Sequence, residues 1–510
     1  MLSIVNSATV SGVKINPVKI ETAVYRGIPG LNIIGMGDVA IKEAGERIKS
    51  AITNSGFKFP QGKVTINLSP AWKKKRGSIT DLAMAIGVLS ASGQLRLSDS
   101  EHWYFAGEVS LDGKINKVNG ILPMLIHMKE RGIKRFIIPA ENMREAKFVS
   151  GIDVYIAEYL KEVECIILNR NDSYKLKQDR AISGKGFTGL SKEKEYPDFF
   201  DVKGQEVAKR GITIAVAGGH NIILTGSPGT GKSMLAERIP GIMPELTYDE
   251  KMEITGIYSA AGKLASEAGM INVRPFREVG PGITAVGLVG GGISPVPGEV
   301  TLAHKSVLFI DEIRELDRKV IDVLRIPMEK KEVKIIRGGE EFVFPSDFIL
   351  VAASNPCKCG YYGDQERECK CSASEVNRYY NKLSGPIADR IDIHIRLNRV
   401  KYEELKSIES TTSSDMRKLV EEGRKFQIKR YRNEKIEFNA QLTPDLVEKY
   451  CIIKKDADDL LKSAYKKYEM NPRTIVKTKK IARTIADIRG SDLIEIGDVA
   501  EAIQYRRTSI

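Results

Sequence analysis

Asn221-Ile-Ile-Leu-Thr-Gly-Ser-Pro-Gly-Thr-Gly-Lys-Ser-Met-Leu-Ala-Glu-Arg-Ile239 is a buried-strand pattern, a glycine-rich loop and the start of a helix in direct succession. Because they lack a Cβ, Gly226, Gly229 and Gly231 let backbone N–H groups come close to phosphate oxygens. Lys232 is placed to reach the β- and γ-phosphates of a nucleotide, and the Ser233 hydroxyl to ligate Mg²⁺ at a helix N-terminus, which favours anions. A chance glycine-rich turn is the alternative, which the flanking strand and helix disfavour. The stretch predicts a P-loop for ATP and Mg²⁺ made of Gly226, Ser227, Pro228, Gly229, Thr230, Gly231, Lys232, Ser233 and Met234.

Polar residues end the next two predicted strands. Ser306-Val-Leu-Phe-Ile-Asp-Glu-Ile313 places Asp311 and Glu312 after four apolar residues. Ligands bind at the carboxyl ends of strands in open α/β sheets, so we expect Asp311 to hold Mg²⁺ through water and Glu312 to orient the attacking water. Capping of a helix predicted over 316–328 is the alternative, disfavoured by the P-loop upstream. The strand at 348–354 ends in Asn355, a neutral side chain suited to sense the γ-phosphate.

The chain of 510 residues divides into four segments. Residues 1–168 predict an α+β domain. Residues 169–198 are rich in Lys, Ser, Gly and Asp and predict a linker. Alternating strands and helices over 199–398 predict an α/β core with a parallel sheet, and helical apolar spacing over 399–510 predicts an all-helical lid. The amino-terminal pattern consists of β-like runs at 64–68 and 136–139 and helix-like runs at 41–54 and 81–91.

The charge balance favours a polyanionic partner. Lys and Arg outnumber Asp and Glu by 79 to 66, and nucleic acid is the usual partner of such an excess. A merely basic protein is the alternative. The first ten residues lack the pattern of a secretory signal, and no apolar run approaches the length of a membrane span, so we expect a cytoplasmic protein without a membrane partner.

Four of the six cysteines lie close together in the chain. Cys357-Lys-Cys359 and Cys369-Lys-Cys371 form two pairs nine residues apart. Four thiolates suit tetrahedral Zn²⁺, and such a site is structural because it leaves no open coordination position. Reduced free thiols are the alternative. The pattern predicts a possible zinc-binding element over 357–371.

The order of P-loop, acidic strand end, Asn-tipped strand and helical lid resembles an AAA+ ATPase. More specific motifs lie over nearly the whole chain: Asp201-Val-Lys-Gly-Gln-Glu206, Ala217-Gly-Gly-His-Asn221, Arg274-Pro-Phe-Arg277, Pro297-Gly-Glu-Val-Thr-Leu-Ala-His304, Ser384-Gly-Pro-Ile-Ala-Asp-Arg-Ile-Asp392, Ala482-Arg-Thr-Ile-Ala-Asp487 and Ala502-Ile-Gln-Tyr-Arg506. Together they resemble the magnesium-chelatase-like ComM (YifB) family. It implies a ring, expected to be a hexamer, that works as a DNA-dependent motor. ComM-type members promote branch migration of recombination intermediates during natural transformation, so recombination proteins are possible partners.

The resemblance also implies roles for single residues. Arg390 matches an arginine finger that reaches a neighbouring subunit's ATP, with a surface arginine at a helix end as the alternative. Arg473 matches the second sensor arginine, and Val202 and Gln205 match the segment that borders the adenine. Family members commonly carry a His pair shortly after the arginine that matches Arg277, and this chain does not.

Glu332-Val-Lys-Ile-Ile-Arg-Gly-Gly-Glu-Glu-Phe-Val-Phe344 predicts a β-hairpin turning at its two glycines. Helicase-like relatives point such a hairpin into the ring pore, where Lys334 and Arg337 would hold phosphates. Glu340 and Glu341 oppose this, so an ordinary solvated hairpin stays open as the alternative. A second candidate for DNA contact is the glycine-rich insert over 279–298.

The amino-terminal domain resembles the α+β fold shared by the Lon protease domain and ribosomal proteins of that type, carried by residues 105–114 and 132–139. Ser78 stands near the position of the Lon nucleophile, but Leu122 occupies the place of the lysine base. We therefore expect a non-catalytic domain. The basic run Lys73–Arg76 is expected to be a solvated loop, with phosphate contact as the alternative.

Four functions remain in competition. The leading hypothesis is an ATP-driven motor on single-stranded or branched DNA. The alternatives are an ATPase that drives metal insertion through a partner, a Lon-like protease, and a protein-remodelling ATPase. Phe342 and Phe344 keep the last open as candidate aromatic pore residues.

Overall fold

The structure, a computed structural model, describes residues 2–97, 102–168, 172–177, 196–265, 269–383, 385–405 and 410–506. Its amino-terminal part is built on a seven-stranded mixed sheet with strand order β3-β4-β2-β1-β5-β8-β9. Helix α2 is apolar on all sides and buried, as expected for a helix in the centre of a core. The elements are β1 Leu2–Ser11, β2 Lys14–Tyr25, β3 Gly30–Ile34, α1 Val39–Asn54, β4 Lys63–Ser69, α2 Asp81–Ala91, β5 Trp103–Phe105, β6 Glu108–Val109, β7 Ile115–Asn116, α3 Ile121–Glu130, β8 Arg135–Pro139, α4 Met143–Ala146, β9 Asp153–Ala157 and α5 Leu160–Ile167.

The predicted linker is described only in part. Within it, Leu176 donates its backbone N–H to Val154 at 2.8 Å, so residues 172–177 pack on the edge of the sheet beside β9. Tyr196 donates its hydroxyl hydrogen to the Arg274 carbonyl. The rest of the linker, 169–171 and 178–195, lies outside the described residues.

The second part contains a five-stranded sheet whose strands are all parallel, in the order β11-β14-β17-β10-β18. This is the α/β core that the sequence predicts. The elements are α6 Glu206–Gly218, β10 Ile222–Gly226, α7 Lys232–Arg238, α8 Tyr248–Ala260, β11 Phe276–Val279, α9 Ala285–Val289, β12 Gly290–Gly291, β13 Val296–Pro297, α10 Glu299–Leu302, β14 Val307–Ile310, α11 Arg318–Asp322, α12 Arg325–Lys330, β15 Glu332–Arg337, β16 Glu340–Pro345, β17 Ile349–Ser354, α13 Ala373–Tyr380, α14 Gly385–Ala388 and β18 Ile393–Leu397.

One predicted helix is divided in two. The prediction of a single helix over 316–328 was wrong, because the structure has α11 and α12 separated at Val323 and Leu324. Pro327 has no N–H to donate and is tolerated only in the first turn of a helix. A new helix that begins at Arg325 places Pro327 in that first turn.

The third part is helical, as predicted. Helix α16 packs on α6 and α19, and the apolar faces of these helices share one core with β10, β17 and β18. None of the helices in the described residues is long and apolar enough to cross a bilayer. The elements are α15 Tyr402–Leu405, α16 Ser413–Arg430, α17 Pro444–Tyr450, α18 Lys455–Lys467, α19 Pro472–Ile488 and α20 Ile496–Gln504.

The amino-terminal part and the five-stranded core are in direct contact. Helix α3 packs against α8, where Gly120 donates its N–H to the Ser259 carbonyl at 3.1 Å. The Ser259 hydroxyl in turn donates to the buried Glu145 carboxylate at 2.5 Å. A second contact joins Arg76 to Glu340 at 3.2 Å on the β15–β16 hairpin.

Candidate functional site

The glycine-rich loop connects β10 to α7 at the carboxyl end of the parallel sheet. Gly229 and Gly231 have φ values of 81° and 88°, which L-residues rarely adopt, and a Cβ at either position would have no atom within 4 Å. Lys232 is 9% exposed and donates from Nζ to the Gly226 carbonyl at 2.7 Å, the Ser227 carbonyl at 3.1 Å and Asn355 Oδ1 at 3.1 Å. Burial lowers the pKa of the Lys232 ammonium, against the attraction of Asp311 and Glu312. The loop leaves open space above Gly229 and Gly231, and the Lys232 ammonium lies buried beside that space.

The acidic pair lies at the same end of the sheet. Asp311 follows directly on β14, and its Oδ1 accepts the Glu312 backbone N–H at 2.9 Å. Glu312 has a left-handed backbone with φ of 47°, which brings its Oε1 to within 3.4 Å of Asn355 Nδ2. The structure thus brings Lys232, Glu312 and Asn355 into one connected group at the carboxyl ends of β10, β14 and β17.

The predicted ligands suit ATP and Mg²⁺. Hydroxyl and carboxylate oxygens, as on Ser233 and Asp311, are the donors that Mg²⁺ prefers. The open space above Gly229 and Gly231 suits a phosphate, since glycine backbones at a helix N-terminus bind anions. The donor set therefore fits the predicted cofactor.

The segment expected to border the adenine contacts the same loop. Gln205 Nε2 donates to the Asn398 carbonyl at 2.6 Å and to the Thr230 carbonyl at 3.4 Å. Val202 is 5% exposed and belongs to the core under the loop. These contacts hold the segment against the loop, and its role at the adenine stays a prediction.

Arg390 and Arg473 lie at the other end of the sheet. Arg390 precedes β18 and so stands at the amino end of a strand that runs parallel to β10. Five residues of β-strand span about 16 Å, so Arg390 is separated from the P-loop of its own chain by the length of the sheet. Its guanidinium pairs with Glu329 and donates to the Pro386 carbonyl. Arg473, at the start of α19, is 80% exposed and lies 3.5 Å from Asp389, the residue before Arg390.

A cavity of about 700 Å³ opens at this amino end. Its wall combines basic and acidic side chains, and several of them form ion pairs with each other. Lys477 lies 2.8 Å from Asp392, and Lys305 lies 3.2 Å from Asp347. The two ends of the sheet therefore carry different chemistry. The glycine-rich phosphate loop lies at one end, and basic side chains in ion pairs with acidic residues lie at the other.

The four cysteines of residues 357–371, here called the cysteine loop, come together. Their sulfur atoms all lie within 4.8 Å of one another, and three of the separations are 3.3, 3.7 and 3.6 Å. A tetrahedral zinc–thiolate site has S···S edges of about 3.8 Å, given Zn–S bonds of about 2.3 Å. Although burial opposes it, hydrogen bonds from the backbone of Tyr361 and Lys370 lower the pKa of the Cys359 thiol. The cluster fits a thiophilic divalent metal.

The comparisons with known proteins agree with this geometry. Residues 198–405 match the family described as magnesium chelatase, subunit ChlI; residues 20–142 match subunit ChlI of Mg-chelatase, and 410–506 its C-terminal part. The competence protein ComM of Haemophilus influenzae is 36% identical over 510 residues, which cover 99% of this chain and 97% of that protein. The protein YifB of Escherichia coli is 34% identical over 507 residues, covering 99% and 97%.

The chain belongs to the magnesium-chelatase-like ComM/YifB family. The resemblance seen in the motifs is confirmed, and with it an AAA+ ATPase architecture. The likeness to a magnesium-chelatase subunit is shorter: the 67 kDa subunit of Chlorobaculum parvum is 26% identical over 162 residues, 31% of this chain and 23% of that protein. The family likeness thus extends over the whole chain only for ComM and YifB among these relatives.

The predicted hairpin of this ComM/YifB-family chain exists as β15 and β16. Gly338 and Gly339 have φ values of 58° and 79°, as a tight primed turn requires. Lys334 lies 3.3 Å from Glu332 and 3.5 Å from Glu341, so its charge is matched within the hairpin. Arg337, at the turn, is exposed.

Phe342 and Phe344 do not face a pore. Both are buried, 1% and 0% exposed. The Arg76 guanidinium lies 4.9 Å from the centre of the Phe342 ring, and Gly12 lies against Phe344. The amino-terminal part covers one face of the hairpin, so its aromatic residues are packing residues.

The amino-terminal part has no Ser–Lys pair at the predicted place. The Ser78 hydroxyl donates to the Glu108 carboxylate, and Leu122 is buried in α3. The basic run is packed only in part, because Lys74 is exposed whereas Lys75 is buried and Arg76 is half-buried. Lys75 is 1% exposed and donates to the Gly35 carbonyl at 3.1 Å, and Arg76 pairs with Glu340. The expectation of a solvated loop over residues 73–76 was wrong for Lys75, which is buried, and for Arg76, which reaches the hairpin, and it holds for the exposed Lys74.

Sequence reasoning missed two residues near the P-loop. Arg314 is 5% exposed, donates to Ser354 Oγ at 2.7 Å and lies 4.3 Å from the centre of the Tyr380 ring. The sequence pointed to Arg314 only through its position, two residues after Glu312. Gly360 of the cysteine loop lies against the P-loop, where a Cβ on it would come within 2.8 Å of Pro228 Cδ. No local pattern announces this contact, because the two residues are far apart in the chain.

Proposed function

We propose that this chain hydrolyses ATP between the subunits of a ring, expected to be a hexamer, and uses the energy to move DNA. The proposed substrate is single-stranded or branched DNA, and branch migration of recombination intermediates in the cytoplasm is the activity we favour. The observation that carries the proposal is the separation of Lys232 and Arg390 at opposite ends of one sheet. A neighbouring copy can bring its Arg390 to this P-loop, whereas the same chain cannot.

The proposed reaction assigns a role to each residue group. ATP with Mg²⁺ would supply the phosphoryl group and the metal charge. Lys232 would exchange its carbonyl contacts for phosphate oxygens, and Glu312, held by Asn355, would orient the attacking water. Arg390 of the neighbour would leave Glu329 and stabilise the charge of the transition state, with Arg473 beside it as the second sensor.

DNA contact is proposed at the hairpin tip. Arg337 is exposed there, the net charge of the chain is +13, and a relative is named a competence protein. A magnesium-chelatase-like or protein-remodelling ATPase that does not need DNA is the second candidate. It is favoured by the matched charges around Lys334 and by the match of residues 198–405.

The remaining segments receive structural roles. We propose that residues 1–168 form a Lon-like domain without protease activity, because Ser78 contacts the Glu108 carboxylate rather than an amine. Residues 199–398 and 399–510 form the ATPase core and its lid. The cysteine loop is proposed to hold one structural Zn²⁺.

Steady-state ATP hydrolysis by the purified protein tests the proposal. The rate is measured alone and with single-stranded, duplex and four-way-junction DNA, with Lys232→Ala as the control. Strong stimulation by DNA that is absent in Lys232→Ala supports the motor. A rate that requires Lys232 but ignores every DNA sinks the motor and leaves the second candidate. No hydrolysis at all by the wild type refutes both.

A further inference from the structure

The motif Ala217-Gly-Gly-His-Asn221 ends directly before β10. Strand β10 leads into the P-loop at its carboxyl end, so Asn221 lies at the opposite, amino end of the sheet. Ile222 of β10 is in register with Ile393, the first residue of the parallel strand β18. Asn221 therefore lies beside residues 390–393, here called the Arg390 segment.

Asn221 contacts this segment with its backbone and with its side chain. Its carbonyl accepts the backbone N–H groups of Asp392 at 2.9 Å and of Ile393 at 3.0 Å. Its Nδ2 donates to the Arg390 carbonyl at 3.0 Å, and its Oδ1 accepts the Leu350 backbone N–H at 2.9 Å. One residue thus joins the amino ends of β10, β17 and β18, which are neighbours in the sheet.

The side chain at this position has to donate and accept at the same time. An amide does so through its NH₂ group and its carbonyl oxygen, whereas a carboxylate only accepts. The two partners also fix which way the amide points, because Arg390 offers a carbonyl and Leu350 offers an N–H. Asparagine therefore suits this pair of backbone groups, and aspartate suits only one of them.

The helical lid holds the same segment through other backbone groups. The Arg506 guanidinium donates to the Ile391 carbonyl at 2.8 Å and to the Asp392 carbonyl at 3.1 Å. Lys477 lies 2.8 Å from the Asp392 carboxylate. Together with Asn221, these cations give every carbonyl of residues 390–392 a donor, as buried backbone requires. The backbone that carries the Arg390 side chain is therefore fixed to the sheet and to the lid.

We propose that Asn221 is a positioning residue for Arg390, which aims the guanidinium at the neighbouring subunit by fixing the backbone that carries it. The inference rests on the proposed hydrolysis of ATP between subunits. Arg390 leaves Glu329 on assembly and reaches the neighbour's nucleotide from a point that the Asn221 amide defines. Precision matters there, because a misplacement of about 1 Å costs up to about 10²-fold in rate.

Asn221→Asp breaks one of the two side-chain contacts and keeps the shape of the side chain. Its carboxylate still accepts the Leu350 N–H, but it cannot donate to the Arg390 carbonyl and repels that oxygen. We expect kcat for ATP hydrolysis to fall by about tenfold to 10²-fold. Affinity for a fluorescent ATP analogue with Mg²⁺ should stay within about twofold of wild type, because the variant's own P-loop is intact.

Mixing the full-length variants identifies which half of the intersubunit site is damaged. An active interface needs an intact P-loop from one subunit and a correctly placed Arg390 from the next. Asn221→Asp mixed in equal amounts with Lys232→Ala should recover about a quarter of the wild-type rate, since this fraction of random interfaces joins both intact groups. Asn221→Asp mixed with Arg390→Ala should stay at the residual rate, because neither variant places Arg390 correctly.

This pattern of recovery is one that a merely structural role does not produce. A variant that acts through its own P-loop recovers with Arg390→Ala and not with Lys232→Ala. A variant that has lost its fold recovers with neither. Size-exclusion chromatography shows whether Asn221→Asp assembles with Lys232→Ala. If it does not, Asn221→Ala takes its place in both mixtures, because it removes the same contact without adding a charge.

Asn142→Ala is the matched control for loss of a bridging amide. The Asn142 side chain also donates to a carbonyl and accepts an N–H, both of Val118, at 2.8 and 3.1 Å. It lies in the amino-terminal part, away from the Arg390 segment. The kcat of Asn142→Ala should stay within about twofold of wild type, since no interaction with the nucleotide or with Arg390 is removed.

The outcomes separate this inference from the proposed function. If Arg390→Ala mixed with Lys232→Ala recovers no activity, the proposed function is refuted, and the role of Asn221 falls with it. If that mixture recovers, two results overturn the role of Asn221 alone. One is a wild-type kcat in Asn221→Asp and Asn221→Ala, and the other is failure of these variants to recover with Lys232→Ala.

Discussion

The two ends of the five-stranded sheet hold their cations in different ways. At the carboxyl end, Lys232 rests on backbone carbonyls and an amide oxygen. At the amino end, Arg390 pairs with Glu329 and Lys477 with Asp392. A lysine held by neutral acceptors is ready to exchange them for a phosphate, whereas a cation held by a carboxylate must first lose an ion pair. The carboxyl end, with Lys232, suits a nucleotide-binding site within one chain. The amino end suits a side chain such as Arg390 that contacts a neighbouring subunit when the subunits assemble.

The largest expected effect comes from breaking this division of labour. Lys232→Ala and Arg390→Ala should each lower the ATPase rate by about 10³-fold or more, the range for loss of a phosphate lysine or an arginine finger. Arg390→Ala should still bind ATP, because its own P-loop is intact. Mixing the two inactive variants should restore about a quarter of the wild-type rate, since that fraction of random interfaces joins an intact P-loop to an intact Arg390.

The mixing experiment can contradict the comparison directly. Size-exclusion chromatography first shows that the two variants assemble together. Co-assembled variants that recover no activity would mean that Arg390 acts within its own chain or has no part in hydrolysis. The double variant Lys232→Ala/Arg390→Ala, mixed with wild type, is the control for dilution.

A second prediction concerns the ion pairs that hold the amino end together. Asp392 lies 2.8 Å from Lys477 and 3.3 Å from buried His220, and its backbone carbonyl accepts from Arg506. Asp392→Asn leaves the Lys477 ammonium without its carboxylate, so the free energy of unfolding should fall by about 3 kcal/mol. Asp389→Asn is the control, because its partner Arg473 is exposed and the loss should stay below about 1 kcal/mol.

The pH dependence of the same site has a defined sign. Despite burial, Lys477 and His220 hold the pKa of Asp392 far below its ordinary value. A carboxyl with a depressed folded-state pKa stabilises the fold above the unfolded pKa of about 3.9 and loses that contribution as pH falls toward the folded value. The free energy of unfolding of wild type, measured in urea, should therefore fall on acidification below pH of about 4. The free energy of unfolding of Asp392→Asn should fall less over the same pH range. Equal slopes for both proteins would contradict the assignment.

Sequence and structure agree best where neighbours in the chain decide the outcome. The spacing of Gly226, Gly229, Gly231 and Lys232 fixes a loop between a strand and a helix, and strand order then places Asn355 beside it. The contact of Gly360 with Pro228 joins residues 132 apart in numbering, and no local pattern encodes it. The burial of Phe342 likewise depends on Arg76 from the amino-terminal part. Periodicity in the sequence predicts which face of a helix or strand is buried, but it does not predict which other element packs against that face.

The smallest expected effect extends the comparison to the hairpin, whose base adjoins the amino end of the sheet through Lys331 and Asp347. If this end also carries the DNA contact, Arg337→Ala should weaken binding to single-stranded DNA of any sequence. It should also reduce the slope of log K against log salt by about 1, because one phosphate contact is lost. Lys334→Ala should change the slope less, since Glu332 and Glu341 already match its charge. Fluorescence anisotropy over a salt series measures both variants. A larger effect at Lys334 than at Arg337 would mean that the hairpin's ion pairs open on binding, so that its strands rather than its tip meet the DNA.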